Sequence, residues 1–253
     1  MTPLSVVIIT FNEDKNIANC LESVKGVADE IVVVDSFSTD QTKSICGCYP
    51  VRFIEHAFEG HIEQKNFALT QATHPHVLSL DADECLSQEL QQSILSVKQN
   101  WQQDGYYLNR LSNFCGSWIH HSGWYPDRKM RLFNKNKGQW GGTNPHDKFE
   151  LATRATEGRI TGDLLHYTAR SEQEYRKKME GYATIAAAEM YGQHKSAGSL
   201  IVYLKVIASF FRNYFFRFGF LDGRMGLKVC SINAGYTFQK YNKLRNLNKT
   251  NPI

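Results

Sequence analysis

The sequence predicts an α/β fold: a mostly parallel sheet flanked by helices, with a helical extension at its C-terminal end. Three observations predict it. Residues 1–100 alternate short, continuously apolar, β-branched runs with segments of helical periodicity. Acidic residues stand at the ends of those runs, where an open parallel sheet gathers its ligands. Beyond residue 166 the composition shifts to helix formers and long apolar and aromatic stretches.

The elements follow in order. Leu4 to Thr10 (LSVVIIT) reads as a strand buried on both faces. Phe11, Asn12, Glu13 and Asp14 form a loop, and Ile17, Leu21 and Val24 then recur at helical spacing. Glu30 to Val34 (EIVVV) is a second strand running into Asp35, and Ser36 to Asp40 supplies cap-type residues ahead of a helix. A third strand covers Val51 to Ile54 and a helix includes Gln64 to Ala72. A fourth strand, Val77 to Leu80 (VLSL), ends on Asp81, Ala82, Asp83 and Glu84. Such alternation implies right-handed crossovers and parallel neighbours. From Tyr106 to Asp163 the pattern turns irregular, with strand-like pieces such as Lys129 to Phe133, as an elaborated substrate side would. Glu172 to Tyr191 and Ser199 to Leu221 read as helices.

Across 253 residues, 42% are hydrophobic and 21% charged, which excludes wholesale disorder and a fibrous repeat. The formal charge of +4 is not gathered into one basic tract, so a nucleic-acid footprint is not indicated. The six cysteines include no C-x-x-C pair, and free thiols in a reducing compartment are expected. No basic n-region or small-residue cleavage site precedes the first strand, giving an expectation of cytoplasmic residence.

The chemistry converges on the strand ends. In extended backbone, residues i and i+2 point the same way, so Asp81 and Asp83 could face one cation or one sugar nucleotide. Their oxygens suit Mg²⁺ or Mn²⁺, although acidic loop ends are often only solvated. Asp35 can accept hydrogen bonds from a nucleobase or ribose, or it can cap a helix. Thr10, Phe11 and Glu13 offer a hydroxyl, an aromatic face and a carboxylate to the same base. No Gly-rich phosphate fingerprint follows either strand, which points to a metal as the neutraliser of a diphosphate. Two other classes stay open. One is a phosphatase of the haloacid dehalogenase type, although there the D-x-D follows the first strand and Cys85 stands where Thr or Val is wanted. The other is a noncatalytic nucleotide-sugar or glycan-binding module.

The runs SVVIITFNE, EIVVVDSFSTDQT, QKNFAL and VLSLDADE resemble, in order and spacing, family 2 glycosyltransferases with a GT-A fold. The likeness continues through YPDRKMRLF, NPHDK, HYTAR and FLDGRMGL, and is similar to the WaaE/KdtX-type lipopolysaccharide core glucosyltransferases. The resemblance implies a catalytic core over 1–166, with a nucleotide-sugar half to 100 and an acceptor half from 101, and a helical extension over 167–253. It implies an inverting transfer of hexose from a nucleotide sugar, with UDP-glucose as donor and a saccharide or lipid-linked saccharide as acceptor. Thr10, Phe11, Glu13 and Asp35 would hold base and ribose, with Lys65 near the nucleotide. Asp81 would approach ribose or metal, and Asp83 and His166 would ligate the metal. Gly141 and Gly142 ahead of His146 and Asp147 match the family order of a Gly-rich loop before the general base, which makes Asp147 the candidate base. His146 departs from the acidic pair common elsewhere.

Trp118 to Arg131 combines aromatic rings and cations, and supplies Trp124, Asp127 and Arg131 as acceptor-side candidates. A core-packing loop is the equal alternative. On Ser199 to Leu221, Ile207, Phe211, Tyr214, Phe215 and Phe218 form an apolar arc, with Lys205, Ser209, Arg212 and Asn213 on the other side. Its charges argue against a transmembrane span and leave two expectations: peripheral contact with the cytoplasmic face of an inner membrane, or packing against protein.

Overall fold

A computed structural model describes residues 1–143, 146–196 and 198–250. The chain divides into two compact units: Met1–Arg110 with Asp127–His166, and Leu111–Pro126 with Tyr167–Ile253. The second unit thus takes in residues 111–126 in addition to the C-terminal helices.

The first unit opens with β1 (Leu4–Thr10), α1 (Ile17–Val24), β2 (Glu30–Asp35), α2 (Thr42–Cys46), β3 (Arg52–Glu55), α3 (His61–Gln71) and β4 (His76–Asp81). These strands lie parallel in the order β3-β2-β1-β4, the geometry that αβ crossovers enforce. Their β-branched side chains are buried on both faces, as expected for a parallel sheet covered by helices. After β5 (Glu84–Leu86) and α4 (Gln88–Gln99), the chain continues through β6 (Gly105–Phe114), β7 (Ser117–Ile119), β8 (Asp127–Asn134), β9 (Gly138–Thr143), β10 (His146–Leu151) and β11 (Glu157–Ala169). β6 and β11 supply residues to both units.

The sheet is therefore mixed rather than mostly parallel. Beyond β4 it runs β8-β6-β11-β5, with β8 antiparallel to both β4 and β6, and β11 antiparallel to β5. The stretch read as irregular holds strands of 10 and 13 residues. β11 alternates more and less covered residues, and β6 is interrupted by Asn109, Arg110, Ser112 and Asn113, so both lack the unbroken apolar runs that mark parallel strands. The core of this part stacks Phe133 on Phe149, with Trp140 edge-on to both.

In the second unit, α5 (Glu172–Gly192), α6 (Ser199–Phe211) and α7 (Gly223–Thr250) form a helical body. Its core joins Phe114, Ile119 and Tyr175 to Val229 and Ile232. The helix expected over 199–221 stops at Phe211. A π-helical turn covers Arg212–Phe216, Phe218 adopts a left-handed φ of 56°, and a short 3-10 turn covers Gly219–Asp222. A residue in that conformation cannot continue a right-handed helix.

Candidate active site

Parallel register sets Asp35 beside Thr10 and Asp81 beside Ile9, so the ends of β2, β1 and β4 share one crevice. The loops after β1 and β2 are knitted together. The Asn12 amide donates to Ser38 Oγ (2.7 Å), Thr39 N–H donates to Asn12 Oδ1 (2.8 Å), and Glu13 N–H donates to Thr42 Oγ1 (2.9 Å). Asp35 is buried and accepts from the Ser38 amide at 2.7 Å and its hydroxyl at 2.5 Å, so it braces its own loop. The Glu13 carboxylate accepts from Asn16 Nδ2 at 2.6 Å. Phe11 and Phe37 remain more than half exposed on the two loops, while Thr10 is buried with its hydroxyl unpartnered among the described residues.

The Gln64, Lys65 and Asn66 triplet on α3 ties three parts of the unit together. Gln64 Nε2 donates to Ser36 Oγ (3.1 Å), and Asn66 exchanges hydrogen bonds with the Trp140 backbone at 2.9 and 3.0 Å. Lys65 is buried between two acids. Its Nζ donates to Asp147 Oδ2 at 2.7 Å and to Asp81 Oδ2 at 3.4 Å, and it lies 3.0 Å from Asp81 Oδ1 in an ionic contact. The same ammonium sits 4.7 Å from the centroid of the Trp140 ring, within cation–π range.

Asp81 and Asp83 do not share a face. β4 ends at Asp81 and the chain turns at Ala82 and Asp83, which breaks the alternation that extended backbone would give. Asp81 turns to Lys65 and to Arg131, whose Nη2 donates to it at 2.7 Å. Burial would push the Asp81 carboxyl up, but Arg131 and then Lys65 outweigh it and hold the group well below the usual carboxylate range. Asp83 turns to His166, with Oδ2 3.2 Å from Nε2. Strand pairing brings the histidine there, because β11 sets His166 opposite Glu84 on β5.

The Asp83 carboxylate suits Mg²⁺ or Mn²⁺, and the His166 imidazole, a softer donor, is better matched to Mn²⁺ than to Mg²⁺. Two ligands at right angles on a cation with bonds of about 2.1 Å stand roughly 3 Å apart. Asp83 and His166, 3.2 Å apart, are close enough to bind one such cation together. No cluster of three or more His, Cys, Asp and Glu side chains is arranged for a metal among the described residues. Two protein ligands suffice where phosphate and water complete the shell.

The acceptor-side candidates separate. Arg131 is buried under the site, with Nη2 also donating to Glu84 Oε1 at 2.9 Å and with Nε and Nη1 unpartnered among the described residues. Asp127 pairs with Arg110 at 2.6 Å. Burial acts to raise the Asp127 pKa, but Arg110 outweighs it and holds the group below the usual value. Trp124 belongs to the second unit, where it packs against Phe114 and Tyr175. Asp147 lies on β10 opposite Gly142, whose φ of 99° is in the region glycine favours. Asn144, Pro145 and the His146 side chain lie outside the described residues.

Glu84, Arg110 and Trp140 are parts of the site that motif reading passed over. Glu84 is fully buried, accepts from Arg131 and Arg110, and takes the Asp81 amide at 3.1 Å. Its only sequence signal is its place after the D-x-D, and that of Trp140 is its place before the glycine pair. The phosphatase alternative loses its footing here. Its nucleophile would be Asp81, which lies at the end of β4 clamped by two cations, and burial and the nearby acids push the Cys85 thiol up to about 12.

Comparison with known proteins agrees with this geometry. The glycosyl transferase family 2 model matches residues 5–153. Over 258 residues the chain is 31% identical to an uncharacterized glycosyltransferase of Rickettsia prowazekii (strain Madrid E), covering 98% of this chain and 88% of that protein. Over 270 residues it is 28% identical to the lipopolysaccharide core biosynthesis glycosyltransferase LpsC of Rhizobium meliloti (strain 1021), covering 94% and 93% respectively. Among solved structures, the mannosyltransferase PcManGT from Pyrobaculum calidifontis, in complex with GDP-Man and Mn²⁺, matches 100% of this chain and 77% of that chain. Its TM-score is 0.53 at 13% identity, a likeness of fold. The sheet order, the acids gathered at its carboxyl edge and a family match over more than half of the sequence lead to one conclusion: the chain belongs to glycosyl transferase family 2 and has a GT-A-like fold.

Proposed function

We propose that the protein is an inverting hexosyltransferase that moves glucose from UDP-glucose onto a saccharide or lipid-linked saccharide of a lipopolysaccharide core. One observation carries the donor-site reading: Thr10 Oγ1, Arg131 Nε and Nη1 and Trp140 Nε1 are buried without a protein partner among the described residues. A buried unpartnered polar atom costs about 1–3 kcal/mol, and a ligand with many acceptors, such as a nucleoside diphosphate, offsets that cost. The UDP and glucose assignments rest on the motif runs, and the lipopolysaccharide assignment rests on those runs and on the likeness to LpsC.

Each residue then has a task. Thr10, Asp35 and the exposed Phe11 ring hold the nucleoside, and the unpartnered edge of Arg131 faces diphosphate oxygens. Asp83 and His166 would hold the divalent cation, which supplies neutralisation of the charge that develops on the departing diphosphate. Asp147 takes the proton of the acceptor hydroxyl as the new C–O bond forms, and Lys65, 2.7 Å away, orients that carboxylate. A single displacement inverts the anomeric carbon.

The test is a thermal-shift panel of UDP-, GDP-, ADP- and CMP-sugars with and without Mn²⁺, followed by NMR of the product anomer. UDP-glucose should raise the melting point only with the metal, by mass action on the folded state. A flat response to every nucleotide sugar in the presence of Mn²⁺ would overturn the reading.

A further inference from the structure

We propose that the exposed aromatic face of α6 and the turns after it, residues 199–221, docks on a bilayer surface rich in anionic phospholipid. The inference concerns the second unit alone and does not rest on the transfer chemistry.

Leu200, Leu204, Ile207, Phe211 and Phe215 recur every three or four residues and form one stripe, each between 47% and 72% exposed. The opposite stripe turns inward, with Val202 and Asn213 buried. The polarity of a surface helix is thereby reversed, since such a helix ordinarily hides its apolar stripe. The face broadens past the helix end, where Phe216 is 78% and Leu221 60% exposed. Contiguous apolar surface of this kind marks an interaction site.

Charge selects the occupant. Residues 199–250 carry nine of the 29 Lys and Arg but one of the 25 Asp and Glu. That single acid, Asp222, is occupied by the His121 ring at 2.8 Å and by the amides of His120 and His121. Lys205, whose ammonium also donates to the Tyr241 hydroxyl at 3.0 Å, and Arg212 are exposed at the edge of the stripe, where long cationic side chains reach headgroup phosphates while the rings beside them enter the acyl boundary. A second copy of the chain placed symmetrically on this face would set cations against cations with no acid opposite. By length and composition Ser199–Phe216 could cross a membrane, so its two charges do not exclude a span as the sequence reading has it. Burial of Val202 and Asn213 within the unit decides for a helix lying in the interface, because a span facing lipid all round would leave neither covered.

The experiment is sedimentation of the full chain with vesicles of phosphatidylcholine, and of phosphatidylcholine mixed with an equal part of phosphatidylglycerol, without any donor sugar. Binding should be at least about tenfold tighter to the anionic vesicles and should weaken with salt. Leu204→Glu with Phe211→Glu, and separately Lys205→Glu with Arg212→Glu, should each lower it at least about tenfold. All four residues are exposed, and Lys205 gives up its hydrogen bond to the Tyr241 hydroxyl, so circular dichroism should stay unchanged and the melting point should fall by no more than the loss of one exposed hydrogen bond. Equal binding to both vesicle types, binding to neither, or a lipid-free dimer dissociated by the Leu204→Glu and Phe211→Glu pair would each overturn the proposal. None of these outcomes bears on nucleotide-sugar binding, so the two readings fail separately.

Discussion

Arg131→Met tests the buried charge network that underlies the site. The guanidinium neutralises Asp81 at 2.7 Å and Glu84 at 2.9 Å, and both Arg131 and Glu84 are buried. Methionine fills similar space without charge and leaves two carboxylates short of a partner. Breaking a buried pair in this way costs about 3–5 kcal/mol. The lower end, about 3 kcal/mol, applies because Lys65 still faces Asp81 and Arg110 still reaches Glu84 at 3.3 Å. In a chain of this size that corresponds to a fall of roughly 6–12 °C in melting midpoint at pH 7. The pH dependence has a defined sign. Asp81 is held well below its ordinary value, so its contribution is present above the unfolded-state pKa and is lost as pH falls through the folded one. Without Arg131 the folded-state pKa rises, so the gap between variant and wild type should be widest near neutrality and narrow below about pH 4. Adding Glu84→Gln to Arg131→Met should recover about 1 kcal/mol in a double-mutant cycle, since one uncompensated charge is gone. A loss under about 1 kcal/mol at pH 7, or a gap that widens on acidification, would refute the reasoning.

Asp147→Asn should lower transfer by about 10²–10⁴-fold while leaving Mn²⁺-dependent nucleotide binding intact, read by single-turnover assay beside calorimetry. Equal loss of both would remove Asp147 from the role of base. Asp83→Ala, or chelation of the wild type, should weaken nucleotide binding at least about tenfold and abolish its dependence on Mn²⁺; binding that keeps its metal dependence in the variant would disprove the assignment. Thr10→Val removes a buried hydroxyl that has no protein partner, so the melting point should hold or rise slightly while nucleotide affinity falls about tenfold. A clear drop in melting point without a change in affinity would show that the hydroxyl serves the fold instead.

The parallel half of the sheet was legible because its physics is local. LSVVIIT and EIVVV can be stable only where both faces are covered, and acids placed after such runs fall at the sheet's ligand-binding edge. The first four ordered motifs carried the family for the same reason, since each sits at a strand end or on the helix behind it. The antiparallel half was less legible. β11 alternates more and less covered residues, β6 carries polar residues through its run, and their pairing joins residues far apart in sequence.

The sequence by itself determined the βα alternation, the family, and which side chains could serve as acids, base and metal ligands. Only the tertiary structure decided how they are partnered. It set Asp81 between Lys65 and Arg131 while turning Asp83 to His166, a division made by two residues of turn that no spacing rule foresees. It also buried Glu84 as the anchor of two arginines, and turned the apolar stripe of α6 outward. The physical reason is the same in each case. A side chain's type comes from its own position, but its charge partner and its exposure depend on strands and helices brought beside it from elsewhere in the chain.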